Sequence, residues 1–337
     1  MSEALLTVKD LKTYFYTSGG VSKAVDGVSF QINRGEIMGI VGESGSGKSV
    51  TSSSLIRLLP AHTGKIVSGS IDFDGTDVLA LNKKELLSFR GKDVSMIFQN
   101  PMTSLSPVFK VGHQMTELIR KQQKVDRKTA YRMAEEALVK VGITDARRRM
   151  DAYPYELSGG MCQRVIIAMS ILSNPKMIIA DEPTTALDVT IQAQVLELLK
   201  EMRKIYQTAI LLITHNLGVV WKMCDSVMVM YAGKTVEYTT CSNLYHNPLH
   251  PYTWGLLDSM PRLGRESEEE LSTIQGTPPD LRLTGTCCNF SNRCSYASEI
   301  CKSVVPELKE LEPGHFVACH RQCEEGGLVR GGVNIHE

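Results

Sequence analysis

A glycine-rich loop offers the clearest chemistry in this sequence of 337 residues. It follows Glu36–Val41, a nearly continuous apolar stretch typical of a buried parallel strand, and it precedes a helix predicted from Ser49 to about Leu59. Glycines let successive backbone N–H groups turn toward phosphate oxygens, and the helix adds its positive dipole end. The lysine would contact the β- and γ-phosphates, and the serine after it would ligate Mg²⁺. The residues of this phosphate loop are Gly42, Glu43, Ser44, Gly45, Ser46, Gly47, Lys48 and Ser49.

Two carboxylates follow a second apolar strand, Met177–Ala180. The first of them, Asp181, is expected to hold the Mg²⁺ shell through water. The second, Glu182, is expected to polarise the attacking water, which is worth roughly 10²–10⁴-fold in rate. An Asp-Glu pair alone is more often a solvated strand end. The phosphate loop upstream in the same chain favours the catalytic interpretation.

The elements that must position these residues alternate between strands and helices, which predicts a parallel α/β core. The stretch before residue 42 predicts an antiparallel β subdomain. Residues at about 100–160 change to helical spacing and predict an inserted helical subdomain. After about residue 245 the pattern gives way to Pro, Cys and Gly. The predicted organisation is an ATPase domain over 1–244, a cysteine-rich extension over 245–323 and a flexible tail over 324–337.

Charge and hydropathy limit the function classes. The 37 basic and 37 acidic residues cancel, and no basic face or tail of the kind that nucleic-acid binders carry is evident. The first residues do not form a secretory signal. No apolar run approaches the roughly 20 residues of a membrane-spanning helix. We therefore expect any membrane role to depend on a partner.

A Ser-Gly-Gly turn before a helix identifies the family that the sequence resembles. Leu157–Met161, followed by Gln163 and Arg164, is similar to the signature of ABC ATPases, although glutamine is common where Met161 stands. By itself such a turn is usually only a helix cap. The resemblance implies that Ser158, Gly159 and Gly160 contact the γ-phosphate of an ATP bound by the opposite subunit of a head-to-tail dimer.

Three further residues match the family by motif and order. Gln99 resembles the Q-loop glutamine that senses Mg²⁺ and water. Asp188 resembles the last residue of the D-loop, Thr185–Asp188, and His215 resembles the switch histidine that contacts the γ-phosphate. Asn216 stands where aspartate is common. The resemblance implies catalytic roles for Glu182, His215 and Gln99. It also implies Mg²⁺ contacts through Ser49, Gln99 and Asp181.

The family also implies an aromatic side chain stacked on adenine near the amino terminus. Phe15 aligns best, with Tyr14 and Tyr16 as competitors. Each of the three could equally fill the edge of a sheet.

The region after the ATPase domain resembles the extension of oligopeptide/dipeptide (and nickel) importers. His250–Thr253, Gln275–Pro279 and the cysteine block carry this similarity. It implies an ATPase that powers uptake of di- or oligopeptides from the cytoplasmic face of the membrane, with nickel as an alternative cargo. The implied partners are a second ATPase, identical or related, two permease subunits and, indirectly, an external binding protein.

Cysteines crowd into this extension, which is too short and Pro-rich to build a core of its own. Four thiolates could hold Zn²⁺ or a [4Fe–4S] cluster, and similar family members carry the iron–sulfur cluster. Cys287 could serve as a ligand in place of its neighbour Cys288, and Cys323 lies outside the family pattern. The predicted ligands are Cys288, Cys294, Cys301 and Cys319.

Two other function classes fit the sequence less well. A soluble ABC protein acting on ribosomes or DNA usually carries two cassettes, or basic or coiled-coil insertions, and this sequence shows one cassette and neither insertion. A small-molecule kinase with a phosphate loop would not account for the Ser-Gly-Gly turn or for His215.

Overall fold

The computed structural model describes residues 3–185, 187–260, 273–324 and 326–330. Their contacts divide the chain into two units. The first contains Asn33–Glu36, Ala80–Ile213 and the residues up to Leu5. The second contains Leu6–Ile32, Ile37–Leu79 and the residues from Thr214 onward. The domain boundaries expected from the sequence stay a prediction, and residues 325 and 331–337 of the expected tail lie outside the described residues.

The strands of the described residues are β1 (Ala4–Thr17), β2 (Gly20–Asn33), β3 (Ile37–Val41), β4 (Gly64–Phe73), β5 (Thr76–Asp77), β6 (Val94–Ile97), β7 (Met177–Asp181), β8 (Ala209–Ile213), β9 (Ser226–Tyr231), β10 (Lys234–Thr240), β11 (Lys309–Glu312) and β12 (His315–Val317). The helices are α1 (Lys48–Leu55), α2 (Lys83–Lys92), α3 (Pro101–Ser104), α4 (Val111–Gln123), α5 (Arg127–Lys140), α6 (Ala146–Met150), α7 (Gly159–Ile171), α8 (Val189–Tyr206), α9 (Leu217–Met223), α10 (Cys241–His246), α11 (Pro251–Asp258) and α12 (Glu299–Ser303). Within the described part of the chain, no helix is both long enough and apolar enough to span a bilayer.

Parallel strands form the centre of the first unit. β7 lies between β6 and β8, with Met177 paired to Val94 on one side and to Ala209 on the other. Every residue of β7 and β8 is buried, as the continuous apolar runs predict for strands covered on both faces. The carboxyl ends of β6 and β7 lie at one edge, because Ile97 pairs with Ala180.

Helices α4 to α6 of the first unit confirm the helical character predicted between residues 100 and 160. The apolar residues of α5 recur at intervals of three and four, and Ala130, Ala134, Ala137 and Leu138 are buried. Asp126 begins this helix and accepts the backbone N–H groups of Lys128 and Thr129, which satisfies two amides that lack a partner within the helix.

The second unit combines an antiparallel sheet, in the order β2-β1-β4-β5, with strands in the order β11-β12-β10-β9-β3. β3 runs parallel to β9, and β10 runs antiparallel to both β9 and β12. The antiparallel pairing of β1 with β4 agrees with the β subdomain predicted from the sequence. Strands β11 and β12 were not predicted.

A buried carboxylate joins β10 to the extension. Glu237 accepts the backbone N–H groups of Leu249 at 2.7 Å and His250 at 2.9 Å, and it lies 2.8 Å from Nε2 of His315. Both Glu237 and His315 are fully buried. Because a buried carboxylate is costly unless its oxygens have partners, these contacts hold the start of α11 and strand β12 on β10.

Candidate functional site: the phosphate loop and the acidic strand end

The phosphate loop connects β3 to α1, as the sequence predicts. Nζ of Lys48 donates to the carbonyl oxygens of Gly42 at 2.7 Å and Glu43 at 2.8 Å. The lysine therefore spans the loop to which it belongs. Lys48 and Ser46 are buried, and Ser49 is exposed at the start of α1. A buried ammonium at the start of a helix is suited to bind an anionic phosphate chain.

Gly47 shows why the loop needs glycine. Its φ is +103°, and a Cβ placed there would lie 2.2 Å from the backbone oxygen of Ala24. Gly42 is confined in the same way, with a Cβ position 2.2 Å from the backbone oxygen of Met230. The loop is thus closely packed against the backbone of β2 and the end of β9.

Glu43 is held by two residues for which the sequence analysis gave no role in the loop. Its carboxylate forms a two-point ion pair with Arg293, whose Nη1 and Nη2 lie 2.7 Å and 3.1 Å from its oxygens. Its backbone N–H donates to the hydroxyl of Tyr252 at 2.8 Å. For Tyr252 the sequence did contain a signal, because this residue belongs to the His-Pro-Tyr-Thr motif that matches the subfamily extension. For Arg293 the sequence contained no signal except its position in the cysteine block.

The acidic strand end lies in the first unit. Oε2 of Glu182 accepts hydrogen bonds from Nε2 of Gln99 at 2.7 Å and from the Thr185 hydroxyl at 2.9 Å. Its backbone N–H donates to the carbonyl of Ile213 at 2.9 Å, and its φ of +46° is unusual for a residue other than glycine. Asp181, at the end of β7, is buried. The contact to Thr185 was not predicted.

The Ser-Gly-Gly turn caps α7 and touches the start of α8. Oγ of Ser158 accepts the N–H of Met161 at 3.3 Å. A Cβ at Gly160 would lie 2.7 Å from Cγ2 of Ile191. Ile191 in turn donates its N–H to Asp188 at 3.0 Å. The predicted signature and D-loop therefore lie against each other, although Ala186 of the D-loop is outside the described residues.

His215 follows β8 and is exposed. The next residue, Asn216, begins α9, and its side chain accepts the N–H of Val219 at 3.3 Å. Asn216 therefore caps the helix, and an aspartate at this position could form the same cap. The structure places His215 in the second unit.

The aromatic candidates differ in their contacts. The Tyr14 hydroxyl donates to Asp26 at 2.7 Å, and burial together with this hydrogen bond raises the pKa of Tyr14. Tyr16 is 41% exposed, with Nζ of Lys65 5.5 Å from its ring centre. Phe15 pairs with Gly64, whose lack of a side chain leaves room beside the Phe15 ring. Phe15 stays the predicted adenine-stacking residue.

The four predicted cysteine ligands interact electrostatically with one another. Burial raises the pKa of the Cys288, Cys294 and Cys319 thiols to about 11 each, and neighbouring thiols of the set, including Cys301, add to each shift. Cys323 is exposed. Within the described residues, however, no three His, Cys, Asp or Glu side chains lie in an arrangement that could hold a metal ion. The predicted [4Fe–4S] cluster has no support from a metal-binding geometry.

Comparison with known proteins gives two family matches. Residues 25–185 match the family described as ABC transporter. Residues 236–301 match the family described as oligopeptide/dipeptide transporter, C-terminal region.

Curated relatives match over nearly the whole chain. The oligopeptide transport ATP-binding protein OppD of Bacillus subtilis is 50% identical over 313 residues, which are 93% of this chain and 87% of that protein. OppD of Escherichia coli is 48% identical over 96% of this chain and 95% of its own length. The dipeptide transport ATP-binding protein DppD of Bacillus subtilis is 47% identical over 95% of each chain.

Solved structures match about seven tenths of this chain. The ATP-binding cassette MJ0796, in a dimeric post-hydrolysis state bound to ADP and Pi, gives a TM-score of 0.63 at 25% identity, covering 70% of this chain and 98% of that one. CbiO1 from Clostridium perfringens, part of the ABC transporter complex cbiONQ, gives a TM-score of 0.62 at 27% identity, covering 73% and 92%.

Proposed function

This chain belongs to the ATP-binding proteins of the oligopeptide/dipeptide ABC transporter family, and we propose that it hydrolyses ATP to power peptide uptake through a membrane permease. The observation that carries the ATPase assignment is the carboxylate of Glu182, held at the end of β7 by Gln99 and Thr185. A general base needs a fixed direction before it needs a favourable pKa. The hydrogen bonds from Gln99 and Thr185 to Oε2 fix the orientation of the Glu182 carboxylate.

The phosphate loop supplies the other half of the chemistry. Lys48 already donates to two loop carbonyls, and we propose that its ammonium turns to the β- and γ-phosphates when ATP enters. Ser49, Asp181 and Gln99 offer the oxygen ligands that Mg²⁺ prefers, and the ion would neutralise charge on the phosphates. Glu182 then accepts a proton from the attacking water, and His215 contacts the γ-phosphate.

The assembly that we propose is the head-to-tail dimer typical of the family. Ser158, Gly159 and Gly160 of one subunit contact the γ-phosphate of ATP bound by the other. The capped start of α7 supports this role, because its backbone N–H groups and dipole suit an anion. The second ATPase is a copy or a paralogue. Two permease subunits and an external binding protein complete a transporter whose ATPases lie on the cytoplasmic face of the membrane.

The decisive experiment is reconstitution in proteoliposomes with an oligopeptide permease pair and its binding protein. We expect ATP-dependent uptake of a labelled di- or tripeptide, and no uptake with Lys48→Ala. Uptake of ⁶³Ni²⁺ instead of peptide would assign the nickel alternative. ATP hydrolysis without any permease partner, together with co-purifying RNA, would favour a soluble ABC protein and contradict the proposal.

We further propose that Cys288, Cys294, Cys301 and Cys319 bind a [4Fe–4S] cluster. Three of the four cysteines lie within the stretch that matches the oligopeptide/dipeptide transporter C-terminal region, and cysteine thiolates are the ligands that such clusters need. The cluster would contribute folding energy and would require loss of the thiol protons. Burial raises the pKa of the Cys288, Cys294 and Cys319 thiols, and the nearby backbone N–H groups of Phe290, Tyr296 and Gln322 oppose that rise.

Anaerobic purification with iron, sulfide and zinc assays tests this second proposal. We expect about four irons and four sulfides per chain, because that is the composition of the cluster, and broad absorption near 400 nm. Cys294→Ser should remove them, whereas the exposed Cys323→Ser should not. One zinc per chain without sulfide, or no metal at all, would contradict the cluster.

A further inference from the structure

The phosphate loop is tied to the cysteine-rich extension at one residue, Glu43. Three parts of Glu43 are engaged at once. Its carboxylate binds Arg293, its N–H donates to Tyr252, and its carbonyl oxygen accepts from Lys48. The same residue therefore connects two side chains of the extension to the lysine of the phosphate loop.

The guanidinium of Arg293 is held in place by hydrogen bonds other than those to Glu43. Its side chain is only 6% exposed. Its Nε donates to the carbonyl of Gln275 at 2.9 Å and its Nη2 to the carbonyl of Ile274 at 3.1 Å. Its Nη1 also donates to the Tyr231 hydroxyl at 3.2 Å. A guanidinium with its donors fixed in this way can impose a position on a carboxylate.

An aromatic cluster at the end of β9 contains Tyr252 and packs beside Arg293, and these two residues of the extension contact Glu43. The ring centres of Tyr231 and Tyr252 lie 4.7 Å apart, and Phe290 packs 5.2 Å from the first and 5.3 Å from the second. All three rings are buried. Phe290 and Arg293 both belong to the turn between Cys288 and Cys294. The cysteine segment is thus packed beside the loop rather than extended away from it.

A second connection reaches the loop from the same side. Nδ2 of Asn289 donates to the carbonyl of Ala232 at 2.9 Å. The next residue, Gly233, donates its N–H to the carbonyl of Ser46 at 3.0 Å. The extension therefore contacts the first part of the phosphate loop directly and the middle part through the turn after β9.

We propose that Arg293 is a positioning residue for the phosphate loop, through which the cysteine-rich extension sets the affinity for ATP. The inference rests on the proposed function, because it assigns regulation to the same loop. In the intact protein, Arg293 and Tyr252 keep Glu43 and the loop backbone around it in the form that receives phosphate, and from this form the Lys48 ammonium turns to ATP. Without them the loop samples other forms, and the apparent affinity falls in proportion to the remaining competent fraction.

The test compares two arginines of the extension. Arg293→Met removes the ion pair and keeps an apolar stem. Arg282→Met is the matched control, since Arg282 is half exposed, pairs with Asp280 and makes no contact with the loop in the described hydrogen bonds. We expect Arg293→Met to raise the Kd for Mg-ATP roughly tenfold, the consequence of a competent fraction near one tenth. The kcat at saturating ATP should stay within about twofold, and the control should change neither.

Two more variants keep the inference falsifiable if Arg293→Met folds poorly. Tyr252→Phe removes only the acceptor of the Glu43 N–H and keeps the ring, and it should raise the Kd severalfold. Glu43→Gln combined with Arg293→Met should be no worse than the weaker-binding single variant, because both changes remove the same interaction. Additive losses in the double variant would show that the two residues act independently.

An unchanged ATP affinity in both Arg293→Met and Tyr252→Phe would overturn the inference, as would a fall in kcat with the Kd unchanged. Iron content should equal that of the unmodified protein, so a loss of metal in Arg293→Met would assign the effect to the cysteine segment itself and also overturn it. Failure of the proposed function is separate: wild-type protein that binds ATP but does not drive peptide uptake leaves this inference intact.

Discussion

Gln99 donates a 2.7 Å hydrogen bond to the carboxylate of Glu182, although 83 residues separate the two in sequence. The pairing of β6 with β7 explains the contact, because both residues follow the carboxyl ends of these neighbouring strands. Gln99 also lies directly before α3 and the helical region. A displacement of that region would therefore move a donor of the proposed base, which offers a physical route between a permease partner and the chemistry.

Glu182→Gln should lower the rate of ATP hydrolysis by roughly 10²–10⁴-fold, because an amide cannot accept the proton of the attacking water. The amide oxygen can still accept from Gln99 and Thr185, so the geometry should persist. ATP binding should be retained, and a dimer stabilised by ATP should appear in size-exclusion chromatography. Glu201→Gln, on the exposed surface of α8, serves as the control. Full turnover in Glu182→Gln would contradict the assignment.

Gly47→Ala and Gly45→Ala should differ strongly in stability. Both positions have positive φ, and alanine there costs about 1–2 kcal/mol. At Gly45 the new methyl meets nothing within 4 Å, whereas at Gly47 it overlaps the backbone of Ala24 at 2.2 Å. Forced backbone movement adds roughly 1–3 kcal/mol. Urea denaturation measures the difference, and equal losses would show that the loop does not pack on Ala24.

The buried His250 should make stability depend on pH. Burial lowers its pKa to about 4, whereas an unfolded histidine has a pKa near 6.5. Below about pH 6.5 the unfolded chain binds a proton that the folded chain does not, so the free energy of unfolding falls as pH decreases toward 4. At pH 5 the loss from this residue is about 2 kcal/mol relative to pH 7.

His250→Asn checks this pH dependence. Asparagine can still accept the Tyr252 N–H that His250 accepts through Nδ1 at 3.0 Å. Urea midpoints at pH 7 and pH 5 should therefore converge more in the variant than in the unmodified protein. The difference between the two proteins also isolates His250 from Glu237 and His315, which lie in the same cluster. An identical pH dependence in both would contradict the prediction.

Phe15→Ala should raise the KM for ATP roughly tenfold, because stacking of an aromatic side chain on a base is worth about 1–3 kcal/mol. Tyr16→Ala should have little effect if its exposed ring only packs near Lys65. Steady-state ATPase assays at several ATP concentrations distinguish the two. The opposite ranking would assign adenine stacking to Tyr16.

Most of the fold and of the candidate site could be predicted from local sequence patterns. The phosphate loop and the acidic strand end were predictable, because strand, turn and helix follow one another within a few residues. Helix α1 ends at Leu55 rather than near Leu59, since Arg57 takes the left-handed φ of +54°. Strands β11 and β12 were missed because β11 is exposed at every residue and shows no apolar alternation.

Contacts between distant segments could not be predicted. Nothing in the spacing around Arg293 marks it as a partner of Glu43, and Thr185 was assigned to the D-loop alone. Arg293 and Thr185 contact Glu43 and Glu182 only because the folded strands bring these residues together. The cysteine set was chosen by resemblance, and both the set and the choice of Cys288 over Cys287 stay predictions.

The ion pair of Glu43 with Arg293 spans 250 residues of sequence, which has a consequence for biosynthesis. When a ribosome has completed the ATP-binding motifs, the residues that brace the phosphate loop have not yet been made. A nascent chain, or a protein cut before α11, would carry every ATP-binding motif and yet lack Tyr252 and Arg293, the two side chains that hold Glu43. Full affinity for ATP would then be acquired last, when the extension folds onto the phosphate loop.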